Sequence, residues 1–338
     1  MFQVEGYDFD LPSELIAQEP RAQRSEARLM LVDRNRGVIS HYQVRDLPHL
    51  LEPQDLLVLN NTRVFPARLF ARGRNRPIEI LLLRRVGREQ VWDVLARPGR
   101  RLKPGRRLIF GQGELEATVL SGAAGPIRRL HFRVEGDFWQ AIERVGVVPL
   151  PPYIRRTASP EDRRRYQTVF GEIRGSVAAP TAGLHFDQQL LADLSHCFVT
   201  LHVGYGTFKP VTASDIRGHA VDSEIFQVSR ETGMMLGRQL GAEKSVVAVG
   251  TTTTRVLEHL GRQGLGDRET TGETDLYILP GFEFGVTGKL MTNFHLPKSS
   301  LMFLVSAFAG RELLLEAYQE AVSARYHFYS YGDAMLIV

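Results

Sequence analysis

The chain has 338 residues, 43% of them hydrophobic and 24% charged, which excludes a disordered chain and little else and leaves room for two globular cores. A single cysteine, Cys197, excludes an internal disulfide and a cysteine-based metal cluster. The net charge of +4 is unevenly spread: residues 66–150 hold 17 Lys plus Arg against 8 Asp plus Glu, a local +9 that leaves −5 elsewhere.

A basic segment set in a mildly acidic body suits a polyanionic partner, because each Lys or Arg that neutralises a phosphate releases a counterion. The competing reading is an arginine-rich solvated surface, since lysine supplies only 5 of the 42 basic residues. The first residues, MFQVEGYDFDLP, carry acids and an early proline, unlike a signal peptide. The longest apolar stretch, LMFLVSAFA at 301–309, is far short of the roughly 20 residues that span a bilayer. A cytoplasmic protein with no membrane partner is expected.

In chain order, DLLVL at 55–59 reads as a buried strand that runs into Asn60, Asn61, Thr62 and Arg63. Between 67 and 148, five β-like runs (PIEILLL, QVWDVLA, RRLIF, LEATVL, IRRLHFRV) alternate with Gly- and Pro-containing breaks. That spacing leaves little room for helix and predicts a small antiparallel barrel or sandwich. VPLPPYIRR at 148–156 holds three prolines and reads as the exit linker. Charged residues at 160–165 suit the opening of a helix. Beyond them CFVTLHVG and KSVVAVG read as buried strands, and LGRQLG and TTRVLEHLG as helix. Strand–helix alternation predicts an α/β layer. The expected fold is an α/β body, a mixed sheet with helices, formed by residues 1–65 plus 150–338. A basic antiparallel β-barrel of residues 66–149 is inserted into it.

Six segments place catalytic-grade side chains beside glycines at strand ends, where ligands of open α/β sheets bind. In DLLVLNNTRVF, Asn60, Thr62 and Arg63 suit a carboxylate, ribose or phosphate; the alternative is a turn capped by Asn and Thr. In GSVAAPTAGLHF, small residues permit close ligand approach, and Thr181, Gly183 and His185 offer a hydroxyl, backbone space and a titratable ring. A lone histidine beside Leu and Phe is otherwise a core residue. In LHVGYGTFKPV, His202, Gly204, Gly206 and Thr207 form a glycine-rich strand end that lacks a dinucleotide fingerprint. In VVAVGTTTTRVLEHL, Gly250 and four threonines precede a helix, giving an anion site at Thr251 and Thr252 or plain N-capping. In LMTNFHLPKSS, Asn293 and His295 come before a helix start at Lys298 and Ser299. In YHFYSYGDAMLIV, Asp333 precedes the last strand. One shared pocket explains six such exits better than six separate accidents.

These stretches, with YDFDLPSELIAQEPRAQRSEARLM, RRYQTVF and TDLYILPGFEF, resemble the S-adenosylmethionine:tRNA ribosyltransferase-isomerases of bacterial queuosine synthesis over nearly the whole chain. Two positions depart from the family pattern: Asp222 stands where a second histidine is usual, and Thr253 where serine is common. The resemblance implies transfer and isomerisation of the ribosyl part of S-adenosylmethionine. The acceptor is 7-aminomethyl-7-deazaguanine at the wobble position of tRNAs with a GUN anticodon, and the leaving groups are adenine and methionine. S-adenosylmethionine is then a co-substrate, with no cofactor and no metal. Set against that chemistry, His185 is the preferred base for the carbon next to the sulfonium, with His295 as the other candidate. Asp333 or the second histidine would protonate adenine, and Arg63 or Arg255 would fork the methionine carboxylate. Arg97, Arg100, Arg101, Lys103, Arg106 and Arg107 form the densest basic run and are expected to meet tRNA phosphates. Three rival readings remain at this point: a non-catalytic RNA-binding protein, an enzyme acting on a free nucleotide, and a methyltransferase.

Overall fold

The computed structural model describes every residue except 74, 75, 88, 122–124 and 265, and the side chains of 101 and 208. In chain order the strands are β1 (Arg28–Asp33), β2 (Val38–Gln43), β3 (Leu56–Asn60) and β4 (Thr62–Val64). Six more follow in the basic segment: β5 (Arg68–Ala71), β6 (Ile78–Arg85), β7 (Val91–Arg97), β8 (Arg107–Phe110), β9 (Leu115–Leu120) and β10 (Ile127–Arg133). The remainder are β11 (Ile173–Ser176), β12 (His196–Leu201), β13 (Glu224–Val228), β14 (Val246–Val249), β15 (Thr270–Thr274), β16 (Lys289–Asn293) and β17 (Ala334–Ile337).

Nine strands form one mixed sheet in the order β15-β13-β12-β3-β14-β16-β17-β1-β2. Its centre, β12, β3, β14 and β16, is parallel. Central parallel strands are covered on both faces, so β3 (LLVLN) and β14 (VVAV) are buried at every position. The two-residue alternation sends Leu56 and Val58 into one core and Leu57 and Leu59 into another. The first core is closed by the helices Arg230–Gly241, Thr251–Gln263, Ser300–Ala309 and Arg311–Ser323, the second by short helical segments such as Gln188–Ala192.

The basic segment is a closed six-stranded barrel, β10-β7-β6-β5-β8-β9, with antiparallel pairing throughout. Its core includes Leu69, Ile80, Val94, Phe110 and Phe132, roofed by the helix Phe138–Val145. Sequence reading anticipates five strands here and misses β5. In β5 only Leu69 and Ala71 are fully buried while Phe70 is exposed, too short an alternation to register. At the barrel's two ends Arg68 and Val147 exchange backbone hydrogen bonds of 3.1 and 2.8 Å.

The expected exit linker, residues 148–156, is packed: Val148, Leu150 and Ile154 are buried with Tyr166, Ala179 and Tyr331 in a small core of their own. The helix expected at 160–165 is a single turn, Asp162–Arg165, and the next residue, Tyr166, is fully buried. Among the described residues no helix is long and apolar enough to cross a membrane.

Candidate active site

Parallel pairing brings four strand ends to one edge of the sheet. Asn60 ends β3, Leu201 ends β12, Val249 ends β14 and Asn293 ends β16. Strand β17 runs antiparallel to β16 with Ala334 opposite Asn293, so its first residue reaches the same edge. Beyond these ends lies a cavity of about 430 Å³. The loop 178–182, the start of the helix Thr251–Gln263 and the segment 292–299 form its walls. Pro152 and Tyr153, with Tyr329 and Ser330, close one side.

Eight of the expected residues line this cavity: Thr181, Thr207, Thr251, Thr252, Asn293, His295, Lys298 and Ser299. The four threonines divide by helical geometry. Thr251 and Thr252 face the cavity, whereas Thr253 and Thr254 donate their hydroxyls to the carbonyls of Val249 (2.8 Å) and Gly250 (3.2 Å). Gly250 starts the turn at φ 93°, a backbone conformation that disfavours side chains with a Cβ. Ser299 caps the helix Ser300–Ala309 by accepting from Met302 N at 3.3 Å. Lys298 forms a 2.7 Å ion pair with Asp8.

The two histidines differ in position. His295 lines the cavity, and its Nε2 shares a 2.9 Å hydrogen bond with the Thr292 hydroxyl. Burial pushes its pKa down to about 3, so the imidazole is neutral at pH 7. His185 lies one layer behind, on the turn Thr181–His185, and borders a separate small pocket with Arg21, Arg24 and Arg165. Its Nε2 accepts from Asn293 Nδ2 at 3.0 Å while Asn293 Oδ1 accepts from Thr181 Oγ1 at 3.1 Å. Burial lowers its pKa to about 4 against the opposing pull of Asp333. The lone pair of that Nε2 is therefore spent on Asn293, and His185 itself is not part of the cavity lining.

Other expected residues build the walls. Asn60 is buried and clamps β3 to β12, donating to Leu201 O and accepting from Leu201 N, both at 3.0 Å, with Thr62 N at 3.1 Å. Thr62 and His202 share a 2.8 Å hydrogen bond, and burial lowers the His202 pKa. Gly183 faces inward, where a Cβ would lie 2.9 Å from Phe170 and Thr168. Gly204 donates its N–H to Glu224 at 2.8 Å, and Gly206 abuts the Asp222 carboxylate, itself paired with Lys209 at 2.7 Å.

Three charged residues expected in the pocket are occupied or elsewhere. Arg255 donates to Glu224 and to the carbonyls of Leu276 (2.9 Å) and Thr274 (3.1 Å), so its fork is filled. Arg63 sits exposed on β4, outside the cavity wall. Asp333 is fully buried and accepts from Arg21 (2.8 Å), Arg28 N (2.9 Å) and His327 N (2.8 Å), so it serves as a cap for the C-terminal strand.

Sequence reading misses Lys209, Tyr153 and Ser330 as cavity residues, and Glu224 as the partner of Arg255. Lys209 and Ser330 stand inside segments already singled out, whereas Tyr153 is hidden in the proline-rich stretch. In the barrel Arg97, Arg100, Lys103 and Arg107 are exposed and Arg106 is half-buried; Arg107 pairs with Glu116 at 2.7 Å. The side chain of Arg101 lies outside the described residues.

The family described as "Queuosine biosynthesis protein" matches residues 4–337. A relative from Acetivibrio thermocellus is 46% identical over 341 residues, covering 99% of both chains, and bears the name S-adenosylmethionine:tRNA ribosyltransferase-isomerase. One of the same name from Heliobacterium modesticaldum is 47% identical over 348 residues, covering 99% of this chain and all of its own. A crystal structure of S-adenosylmethionine tRNA ribosyltransferase from Thermotoga maritima is 37% identical with a TM-score of 0.56, covering 98% of this chain and all of that one. Thr181, Asn293, His295 and their neighbours thus line the cavity of a chain that belongs to the queuosine biosynthesis protein family.

Proposed function

We propose that this enzyme transfers and isomerises the ribosyl moiety of S-adenosylmethionine onto 7-aminomethyl-7-deazaguanine at the wobble position of tRNA with a GUN anticodon. The products are epoxyqueuosine-tRNA, adenine and methionine. The observation that carries this reading is the cavity at the carboxyl edge of the sheet, polar at Thr251, Thr252, Asn293 and His295, in a chain 46–47% identical end to end to enzymes named for this reaction. A volume of about 430 Å³ suits a single nucleoside-sized ligand.

The start of the helix Thr251–Gln263 offers backbone N–H groups and two hydroxyls for the methionine carboxylate, and Lys209 and Lys298 are the lysines on the cavity wall. His295 is the base: neutral, on the wall and oriented by Thr292, it takes the proton from the carbon next to the sulfonium. The same imidazolium then gives that proton to departing adenine. His185 positions Asn293, and through it Thr181. The basic barrel supplies phosphate contacts for the anticodon arm, which its local charge excess favours.

The test is incubation with S-adenosylmethionine and tRNA bearing the aminomethyl base. A tRNA mass gain with equimolar adenine and methionine supports the reading. S-adenosylhomocysteine as product, or tRNA bound without a mass change, would overturn it.

A further inference from the structure

A second cavity, of about 240 Å³, opens where the barrel meets the body. Barrel residues Leu81 and Leu95 form one wall and Pro149, Pro151 and Val177 another, with the Tyr205 ring and the Arg68, Glu79 and Arg97 side chains at its rim. It adjoins the larger cavity on three segments. Pro152 lines both, Val177 lines one and Ala178 the other, and Tyr205 and Thr207 divide in the same way.

Apolar walls, one aromatic ring and a charged end make the kind of pocket that receives a base extruded from its stack. Glu79 sits opposite Arg97 across the β6–β7 pair. Its Oε1 lies 3.2 Å from Arg68 Nε, and Arg68 is anchored in turn by donating to Leu150 O at 3.1 Å. The Glu79 carboxylate and the exposed Arg97 side chain both line the cleft. A carboxylate held this way has acceptors to offer. Guanine-type bases present two adjacent donors, N1–H and the 2-amino group, on their pairing edge.

We propose that this junction cleft binds the acceptor base, with Glu79 accepting from its N1–H and 2-amino donors and Arg97 meeting a flanking phosphate. The proposal rests on the tRNA-modifying reading above. A 7-deazaguanine so held carries its 7-aminomethyl group at the end of the ring system away from Glu79. Pro152 and the Val177–Ala178 step, where the two cavities adjoin, give that group a route to the S-adenosylmethionine cavity. The two substrates then approach from opposite sides, S-adenosylmethionine from the body and the base from the barrel. Glu79 is a specificity-determining residue for the second.

The experiment compares anticodon stem-loop RNA carrying 7-aminomethyl-7-deazaguanine with the same RNA lacking the 2-amino group. In the wild-type enzyme the deletion is expected to lower kcat/KM about 10- to 100-fold, the range of a hydrogen bond to a charged acceptor. In Glu79→Gln the ratio between the two RNAs collapses towards one, with S-adenosylmethionine affinity unchanged by calorimetry. A wild-type ratio retained in Glu79→Gln, or no preference in the wild type, overturns the assignment. Leu95→Trp, which fills the cleft, should abolish turnover of both RNAs with S-adenosylmethionine binding intact; full turnover counts against the cleft. Absence of adenine release from the wild type with the natural base would instead sink the enzymatic reading.

Discussion

Arg255 and Glu224 form an ion pair inside the body, with 11% and 4% of their side chains exposed. Glu224 also accepts from Gly204 N at 2.8 Å, so the pair ties the helix that opens at the cavity to the glycine-rich loop that carries Thr207 and Lys209. Burial pushes the Glu224 pKa up, while the guanidinium and the Gly204 N–H pull it back.

Glu224→Ala leaves a buried guanidinium unpaired and should cost about 3–5 kcal/mol in urea unfolding. Adding Arg255→Met, which removes the stranded charge, should restore most of that loss. A single-variant cost under about 1 kcal/mol would mean the pair does not hold the loop.

Histidine burial contributes to the acid sensitivity of the fold. His185 titrates at about 4 and His295 at about 3, both below the ordinary value near 6.5. With the folded pKa depressed, the unfolded chain binds protons first as pH falls. Stability is therefore full above pH 6.5 and is lost as pH falls towards 4 and then 3. Each ring contributes about 3–5 kcal/mol over that window. Urea midpoints measured from pH 7 to 4 should fall steadily, and less steeply in His295→Gln. A flat profile in the wild type would contradict the burial of both rings.

The same two residues should separate in catalysis. His295→Gln should lower kcat by about 10²–10⁴, the worth of a positioned base. His185→Gln, acting through Asn293, should chiefly raise the KM for S-adenosylmethionine. Adenine release under saturating tRNA measures both. Equal loss of kcat in the two variants would return His185 to direct chemistry.

Neutralising Arg100, Lys103 and Arg107 together should weaken tRNA binding and lower its salt slope by about 2–3, near one for each phosphate left without its cation. Binding of S-adenosylmethionine should not change. Filter binding across a salt series gives the slope; an unaltered slope makes the run an ordinary solvated surface.

Gly175 lies against His202, where an added Cβ would sit 2.6–2.7 Å from three ring atoms. Gly175→Ala must displace the imidazole from Thr62 and should cost about 1–3 kcal/mol, the range for overpacking a tight site. Gly113→Ala is a poor control because φ there is 113°, whereas Gly99→Ala meets open space and should cost little. A thermal melt compares the two.

The body was legible because central parallel strands are continuous apolar runs: DLLVL and VVAV announce themselves, and the polar residues just after them fall at the sheet edge. Strand β5 was not, since its only two inward positions, Leu69 and Ala71, carry almost no periodic signal. At the site, eight of the expected residues line the cavity and others lie outside its lining. Asp333 and Arg255 have the right chemistry but spend it on backbone groups and on Glu224, which lies 31 positions from Arg255 in sequence. No local spacing encodes such a partner. His185 and His295 look equivalent in the chain, and it is packing that tells them apart: Asn293 sits between His185 and Thr181, whereas His295 lines the cavity beside Thr292.

The backbone exchange between Arg68 and Val147 has an entropic consequence. A floppy insertion of roughly 80 residues would burden the host fold with the cost of closing a long loop, a cost that grows with the logarithm of its length. With its two ends bonded to each other, the barrel presents itself to the body as though it were a tight turn. Lengthening one of its hairpins therefore leaves the closure cost borne by the sheet beneath unchanged.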